Sequence, residues 1–285
     1  MTIALAGLRR HLAACRNAVL PGERVPLRIG TETVGWPRPD LAAAFADAAG
    51  LTPDPDGGVT LPSTRAAELP ALAEGLSRDG WFRWRREAFD VRASEDSPVL
   101  TQIDRGALPK FGVYAEGVHV NGLVRRADGL HVWVAHRAAD KLLDPNKLDH
   151  IVAGGINAGM GPDDTLIKEA AEEAAISAEL ADYARPVCRI RYAMERREGL
   201  RRDLIHCYDL DLPEDFAPQP VDGEVSSFAL WPIARAMEAV AETDDFKFNV
   251  TLVLIDLFLR EGLLGDGTEA RGLREALDDP KGLAI

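Results

Sequence analysis

The sequence has 285 residues, of which 46% are hydrophobic and 28% are charged, as expected for a globular protein of one large or two ordinary domains. This composition excludes a disordered or fibrous chain. Asp and Glu (46) outnumber Lys and Arg (33), and the net charge of −13 would repel a nucleic-acid backbone. No apolar run approaches the roughly 18 to 20 residues that span a bilayer. We therefore expect no nucleic-acid partner, no membrane segment and a cytoplasmic location.

The first 110 residues are predicted to form a small α+β accessory domain. Helical segments are predicted at residues 5–19 and 65–79, separated by turns rich in Pro and Gly. Alternating aromatic and basic residues at 81–87 predict an edge strand. Its arginines are either solvated or part of a surface that stacks on a ring and contacts phosphate. The residues singled out for such substrate contacts are Trp81, Trp84 and Arg86.

A change of pattern near residue 110 predicts a second domain at residues 111–265. Alternating runs rich in β-branched residues predict strands, and periodic segments predict helices. The strands are expected at residues 113–126, 130–136, 187–195, 204–212 and 224–230, and the helices at 163–175, 231–242 and 246–261. Residues 196–203 are expected to be a loop. The chain from residue 262 on is predicted to be loosely held, and residues 266–285 are assigned to a C-terminal tail.

Three carboxylates are predicted to share one face of the first of these helices. Offsets of three and four residues bring Glu169, Glu172 and Glu173 within an arc of about 100°. Because like charges repel, such a helix usually holds a cation, and oxygen donors suit Mg²⁺ or Mn²⁺. Gly154 and Gly155 precede the helix in a loop whose backbone can approach a diphosphate. The alternative is a merely solvated helix face, but glycines, spacing and flanking strands together favour a site.

Other polar residues are weaker candidates. Glu224 follows a turn, and its carboxylate is either a further metal ligand or the partner of a surface cation. His119 and Asn121 lie within a predicted strand, where each either packs in the core or contacts substrate. Arg126, Arg137 and Lys141 either receive a phosphate or are solvated at strand ends. Lys247 and Asn249, at the start of a predicted helix, either reach a ligand or pack there.

The glycine loop and helix together resemble the Nudix box, G-x5-E-x7-R-E-U-x-E-E-x-G-U, in which U is an aliphatic residue. Gly154 takes the first position and Ile176 the last. Lys168 replaces the arginine, Ala175 the second glycine and Met160 the first acid. The three acids of the helix are retained, at Glu169, Glu172 and Glu173. In the family the metal-binding acids are those on the helix, whereas the first acid commonly supports the loop.

Further shared runs extend the resemblance to Nudix hydrolases that have an extra N-terminal domain and are related to proteins similar to thiamine pyrophosphokinase. These runs are residues 118–122, 147–155, 166–169, 208–213, 222–225 and 246–249. The resemblance implies a Nudix α/β/α sandwich with a mixed sheet, preceded by a small α+β domain. It also implies Mg²⁺, with Glu172 and Glu173 as ligands and Glu169 as a ligand or as the base.

The implied reaction is removal of one phosphate from the diphosphate of thiamine or of its oxidised forms. One alternative is a pyrophosphohydrolase acting on ADP-ribose, NADH or coenzyme A. A second is an isomerase of isopentenyl diphosphate, although Cys188 and Cys207 lie outside any matching motif. A third is a non-catalytic module that binds a diphosphate. The expected partners are a small-molecule diphosphate and a second copy of the chain in a homodimer.

Overall fold

A computed structural model describes residues 5–278 of the chain. Its α-helices and its strands are each numbered in chain order. The helices are α1 (Leu5–Cys15), α2 (Pro39–Ala49), α3 (Leu69–Arg78), α4 (Leu108–Phe111), α5 (Pro162–Ala174), α6 (Ala178–Ala181), α7 (Ile233–Glu242), α8 (Val250–Arg260) and α9 (Thr268–Asp278). The strands are β1 (Leu27–Ile29), β2 (Glu32–Gly35), β3 (Val59–Leu61), β4 (Ala88–Val91), β5 (Thr101–Asp104), β6 (Tyr114–Arg126), β7 (Gly129–Arg137), β8 (Leu148–Asp149), β9 (Val152–Gly155), β10 (Arg185–Arg196), β11 (Gly199–Asp211) and β12 (Val225–Pro232). In this part of the chain, no helix has the length and apolar character needed to cross a membrane.

A mixed sheet lies at the centre of the second half of the chain. Its order is β10-β11-β6-β7-β12, and β9 and β8 add to β6 and β7. The pair β11–β6 is parallel, whereas β6 pairs with β7 and β9 in the antiparallel direction. Helix α5 packs on one face through Leu166, Ala170 and Ala174, and α1, α7, α8 and α9 pack on the other. The predicted α/β/α sandwich with a mixed sheet is confirmed.

A second hydrophobic core lies in the N-terminal part of the chain, between Leu27 and Val113. It is enclosed by the sheet β2-β1-β3, by helices α2 to α4 and by the hairpin β4–β5. We call this part, residues 27–113, the N-terminal unit. Helix α1 does not belong to it, because Leu8 and Leu12 are buried in the core formed with α7, α8 and α9. The boundaries predicted at residues 110 and 265 stay predictions.

The predicted strand at residues 81–87 does not form. Instead, the N–H groups of Arg85, Arg86 and Glu87 all donate to the buried carboxylate of Asp104, at 2.9, 2.7 and 3.2 Å. Arg86 adopts a left-handed conformation, with φ of 64°. A backbone that wraps around one carboxylate cannot also pair with a neighbouring strand, so this prediction was wrong for a physical reason that lies outside the segment.

Two connections also differ from the predictions. Strands β10 and β11 extend to Arg196 and Gly199, so the loop expected at residues 196–203 is a tight turn. The chain after residue 262 is not loosely held, because α9 buries Leu273 and Leu277 against α1 and α8. Residues 279–285 of the predicted tail lie outside the described residues.

Candidate active site

Helix α5 forms where the sequence places a strong start and an apolar stripe. Pro162 occupies the first turn together with Asp163 and Asp164, whose charges favour the positive end of the helix dipole. The helix ends at Ala175, which takes the left-handed conformation with φ of 53°. Since its apolar stripe packs on β6 and β9, the glutamates lie at the edge of that packed face. The helix thereby fixes their positions relative to the end of β9.

Glu173 is the most buried of the predicted acids, with 6% of the residue exposed. Its Oε2 accepts a hydrogen bond of 2.8 Å from the N–H of Ala153 in β9. Burial raises the pKa of this carboxyl well above its ordinary value. Within residues 5–278, no Lys, Arg or His forms an ion pair with it. A carboxyl group held in this way favours the neutral form until a bound cation stabilises its ionised form.

Glu169 lies directly against Gly154 in β9. A Cβ atom added to Gly154 would come within 2.4 Å of Glu169 Cγ and 2.9 Å of its Oε2, so only glycine leaves room for this side chain. Burial raises the pKa of Glu169, and the nearby charges of Glu172 and Glu224 raise it further. The ammonium of Lys168 lies 2.9 Å from Oε1 of Glu169 and 2.9 Å from Oε2 of Glu172. Glu172 is the most exposed of the three acids of the helix.

Glu224 lies across from the helix, immediately before β12, and forms an ion pair with Lys141. Although partial burial opposes ionisation, the hydrogen bond and charge of Lys141 lower the pKa of Glu224. Its charge in turn helps raise the pKa values of Glu169 and Glu173. The structure thus brings the predicted acids Glu169, Glu172, Glu173 and Glu224 and the glycines Gly154 and Gly155 into one region.

This region fits a hard divalent cation. Its donors are carboxylate oxygens, one carboxylate is buried without a cationic partner, and the glycine backbone of β9 adjoins Glu169. The oxygens of the three glutamates of the helix are not all within 4.8 Å of one another, and Lys168 lies between two of them. The three glutamates therefore supply the negative charge that a divalent cation needs. Binding of the cation would draw their carboxylate oxygens closer together.

A second cluster, His119, Asp149 and His150, has ligand atoms within 4.8 Å of one another. It does not suit a metal ion. Asp149 Oδ2 already lies 2.7 Å from Arg137 Nη1 and 3.4 Å from Lys247 Nζ. The Nδ1 atoms of the two histidines are 2.8 Å apart and hydrogen-bonded, so one of them carries the proton, the other accepts it, and neither is free for a shared ion. Burial lowers the pKa of His119 well below its ordinary value and that of His150 to about 4.

The structure does not bring His119 or Asn121 to the glutamates. Both lie on β6 on the face opposite Val118 and Val120, which pack beneath α5. Asn121 is 0% exposed, and its amide donates to Asp209 Oδ1 at 2.8 Å. Their substrate contacts stay predictions, and the observed partners support the core role that was the alternative.

The aromatic residues of the N-terminal unit lie apart from α5. Trp81 and Trp84 are half-buried against the second core, and Arg86 is exposed. Trp81 faces a cavity of about 320 Å³ that is also lined by Arg24, by the start of α2, by Lys110 of α4 and by the turn between β10 and β11. None of the residues that line this cavity belongs to α5 or to the loop before it. Contacts of these three residues with substrate stay predictions.

Three residues near the site were not found from the sequence. Asp149 binds Arg137 and Lys247, two of the basic residues considered as phosphate contacts. Phe89 of β4 contacts Gly155 of β9, and Asp90 of β4 accepts a hydrogen bond from Gly159 in the loop that follows β9. The only available signal for Asp149 was its place in a run of residues shared with the Nudix family. Phe89 and Asp90 had no local signal, because their partners lie about 70 residues along the chain.

The mixed sheet lies between layers of helices, β9 ends in two glycines, and α5 carries three glutamates. This arrangement is that of enzymes that hydrolyse phosphoanhydride bonds. Residues 116–251 match the family model described as NUDIX domain. Nudix hydrolase 20, chloroplastic, from Arabidopsis thaliana is 41% identical over 277 residues, which cover 91% of this chain and 74% of the relative. Nudix hydrolase 24, chloroplastic, from the same plant is 42% identical over 180 residues, which cover 63% of this chain and 49% of the relative. A crystal structure of DR0079 from Deinococcus radiodurans has a TM-score of 0.46 and 20% identity, over 59% of this chain and 97% of that one.

The chain belongs to the Nudix family and is a hydrolase that acts on pyrophosphate bonds. Enzymes of this family use divalent metal ions. The predicted cytoplasmic location is contradicted, because both plant relatives are named as chloroplastic proteins. The prediction rested on composition and on the lack of an apolar spanning segment, and neither property distinguishes one aqueous compartment from another.

Proposed function

We propose that the protein uses Mg²⁺ to hydrolyse a diphosphate that is linked to an organic group. The observation that carries the proposal is the carboxylate of Glu173, which is buried and held by the N–H of Ala153 without a cation beside it. Burying an uncompensated charge is costly, and it is tolerated where a ligand supplies the opposite charge. Glu169 and Glu172 of the same helix, and Glu224 across from them, provide further oxygens.

In this proposal three of the acids bind the metal ion and the fourth accepts a proton. Magnesium, when bound, acidifies a water molecule and neutralises charge on the phosphates. Glu172 and Glu173 would hold the ion, and Glu224 would add a further ligand. Glu169, which lies against the backbone of Gly154, would accept the proton of the attacking water. The half-buried backbone of Gly154 and Gly155, between Glu169 and Phe89, would lie next to the diphosphate.

The first substrate we propose is thiamine diphosphate or one of its oxidised derivatives, which would yield the monophosphate and phosphate. The support comes from the sequence runs shared with the Nudix subfamily that has an extra N-terminal domain. It also comes from the N-terminal unit, whose β4 lies beside Gly155 and so adds surface next to the diphosphate site. Selectivity for the organic group needs such added surface, because the acids recognise only the charge shared by all diphosphates.

The test is an assay of phosphate release from a panel that contains thiamine diphosphate, oxidised thiamine diphosphate, ADP-ribose and NADH. Each reaction is run with magnesium and with a chelator. We expect release only with magnesium and the highest kcat/KM for a thiamine compound. Glu173→Gln should abolish release, whereas the exposed Glu179→Gln on α6 should not change it. Preference for ADP-ribose or NADH would refute the substrate, and equal activity of Glu173→Gln would refute the site.

A further inference from the structure

We propose that Asp90, in β4 of the N-terminal unit, positions the loop between β9 and α5 and thereby the acids of that helix. This inference rests on the proposed function for its effect on catalysis. The loop consists of residues 156–161 and connects the glycines of the site to Pro162 of α5. The N–H of Gly159 donates to Asp90 Oδ2 at 3.1 Å, and the N–H of Ala158 donates to the carbonyl of Ala88 at 2.8 Å. Two successive amides at the tip of the loop are therefore held by one strand.

The ring of Phe89 makes a third contact with the same region. A Cβ atom added to Gly155 would come within 2.7 Å of Phe89 Cζ, so the ring lies directly on the backbone of β9. Phe89 is only 4% exposed and belongs to the second hydrophobic core. The end of β9 is thus fixed by the packed interior of the N-terminal unit, while Asp90 fixes the tip of the loop that follows.

Asp90 is itself held in place by its own hairpin. It lies opposite Gln102 in the β4–β5 register, and Gln102 Nε2 donates to its Oδ1 at 3.4 Å. Arg92 Nη2 lies 3.8 Å from its Oδ2. The carboxylate therefore reaches the loop from a paired strand, not from a mobile segment. The fixed carboxylate of Asp90 restricts the backbone conformation of Gly159. Gly159 has a φ of 78°, which glycine adopts without strain.

The loop has few other constraints at its tip. Met160, which stands where the Nudix box has an acid, has no charged group and donates its N–H only to Asn157 within the loop. Ile156 donates to Glu116 of β6 at the loop's beginning. Without Asp90, Gly159 would lose its hydrogen bond to the N-terminal unit, and α5 begins three residues beyond Gly159. Small displacements of catalytic groups lower the rate strongly, about a hundredfold for 1 Å in unfavourable cases.

The experiment compares Asp90→Ala, Asp90→Asn and Gln102→Ala with the wild-type protein. For each, kcat and KM are measured on the preferred diphosphate, and hydrogen exchange is measured at residues 156–161. We expect Asp90→Ala to lower kcat about tenfold with KM changed less than about twofold, since substrate contacts remain. Exchange at Gly159 should rise about tenfold or more, because its N–H loses its acceptor, whereas Ala158 keeps its hydrogen bond to the carbonyl of Ala88 and should change less.

Asp90→Asn keeps an acceptor oxygen and should restore most of the exchange protection and of kcat. Gln102→Ala removes only the weak bond of 3.4 Å to the other oxygen of the same carboxylate, while Arg92 remains beside it, so both values should change far less than in Asp90→Ala. Wild-type exchange in Asp90→Ala would overturn the proposed contact even if no diphosphate tested is hydrolysed. Faster exchange with unchanged kcat would show that the contact exists but does not position the acids. Equal losses in Asp90→Asn and Asp90→Ala would also refute the role assigned to the acceptor oxygen.

Discussion

Gly154→Ala should remove activity while leaving the fold intact, because it places one methyl group against Glu169. The new Cβ would lie 2.4 Å from Cγ and 2.5 Å from Cδ of that side chain, whereas ordinary contacts lie at 3.4–4 Å. Glu169 must therefore move by about 1 Å or more, and a shift of that size in a catalytic group costs on the order of a hundredfold in rate. The packing cost to the folded state is smaller, about 1 to 3 kcal/mol.

The assay is kcat for magnesium-dependent phosphate release, together with thermal unfolding of the same variant. Gly75→Ala in α3 is a matched control, since its added Cβ meets nothing within 4 Å and alanine favours a helix by about 1 kcal/mol. It should unfold at the same or a higher temperature with unchanged kcat. A Gly154→Ala protein that keeps kcat within threefold of the wild type would show that Glu169 has no defined position in catalysis.

Four further predictions concern the metal site and its helix. Glu173→Gln should lower kcat by about two orders of magnitude or more, as for other electrostatic catalytic groups, and a smaller loss of rate would argue against a ligand. Because burial raises the pKa of Glu173 well above its ordinary value, the folded state binds this proton more tightly than the unfolded state, and stability is lost as pH rises from the ordinary pKa toward the raised one. The free energy of unfolding of the metal-free wild type, measured against Glu173→Gln, should therefore fall as pH rises above about 4.5. Magnesium competes with this proton, so the rise in Tm on adding it should be larger at pH 8 than at pH 6, and calorimetry showing the reverse would exclude Glu173 as a ligand. Ala175→Gly should stabilise the protein by about 1 kcal/mol in urea unfolding, because Ala175 has a φ of 53°, and a loss of stability would contradict the strain.

Elements with a strong local pattern were predictable from the sequence. Helix α5 begins within one residue of the prediction because Pro162 and the acids after it mark a helix start, and its apolar stripe identifies the buried face. The strands β6, β7 and β11 follow from alternation of apolar residues. The convergence of Glu169, Glu172 and Glu173 needed only helix geometry. In each case the information lies within one turn or one strand of the residue concerned.

Contacts between distant segments were not predictable in the same way. The strand expected at residues 81–87 fails because Asp104, further along the chain, takes three successive N–H groups. His119 had the pattern of a substrate contact or of a core residue, and only its bond to His150 decides between them. Alternation specifies which face a side chain occupies but not which partner meets it there.

The glycines of the site place two opposing demands on the structure. Gly154 and Gly155 must lack side chains so that Glu169 and Phe89 can approach the backbone of β9 from separate directions. Because they lack side chains, glycines can also adopt many backbone conformations, and this freedom would leave the glutamates of α5 without a fixed position. The close approach of these two side chains, together with the hydrogen bond from Gly159 to Asp90, restricts that freedom. An N-terminal unit in contact with the loop therefore has a catalytic value that does not depend on which organic group the substrate carries.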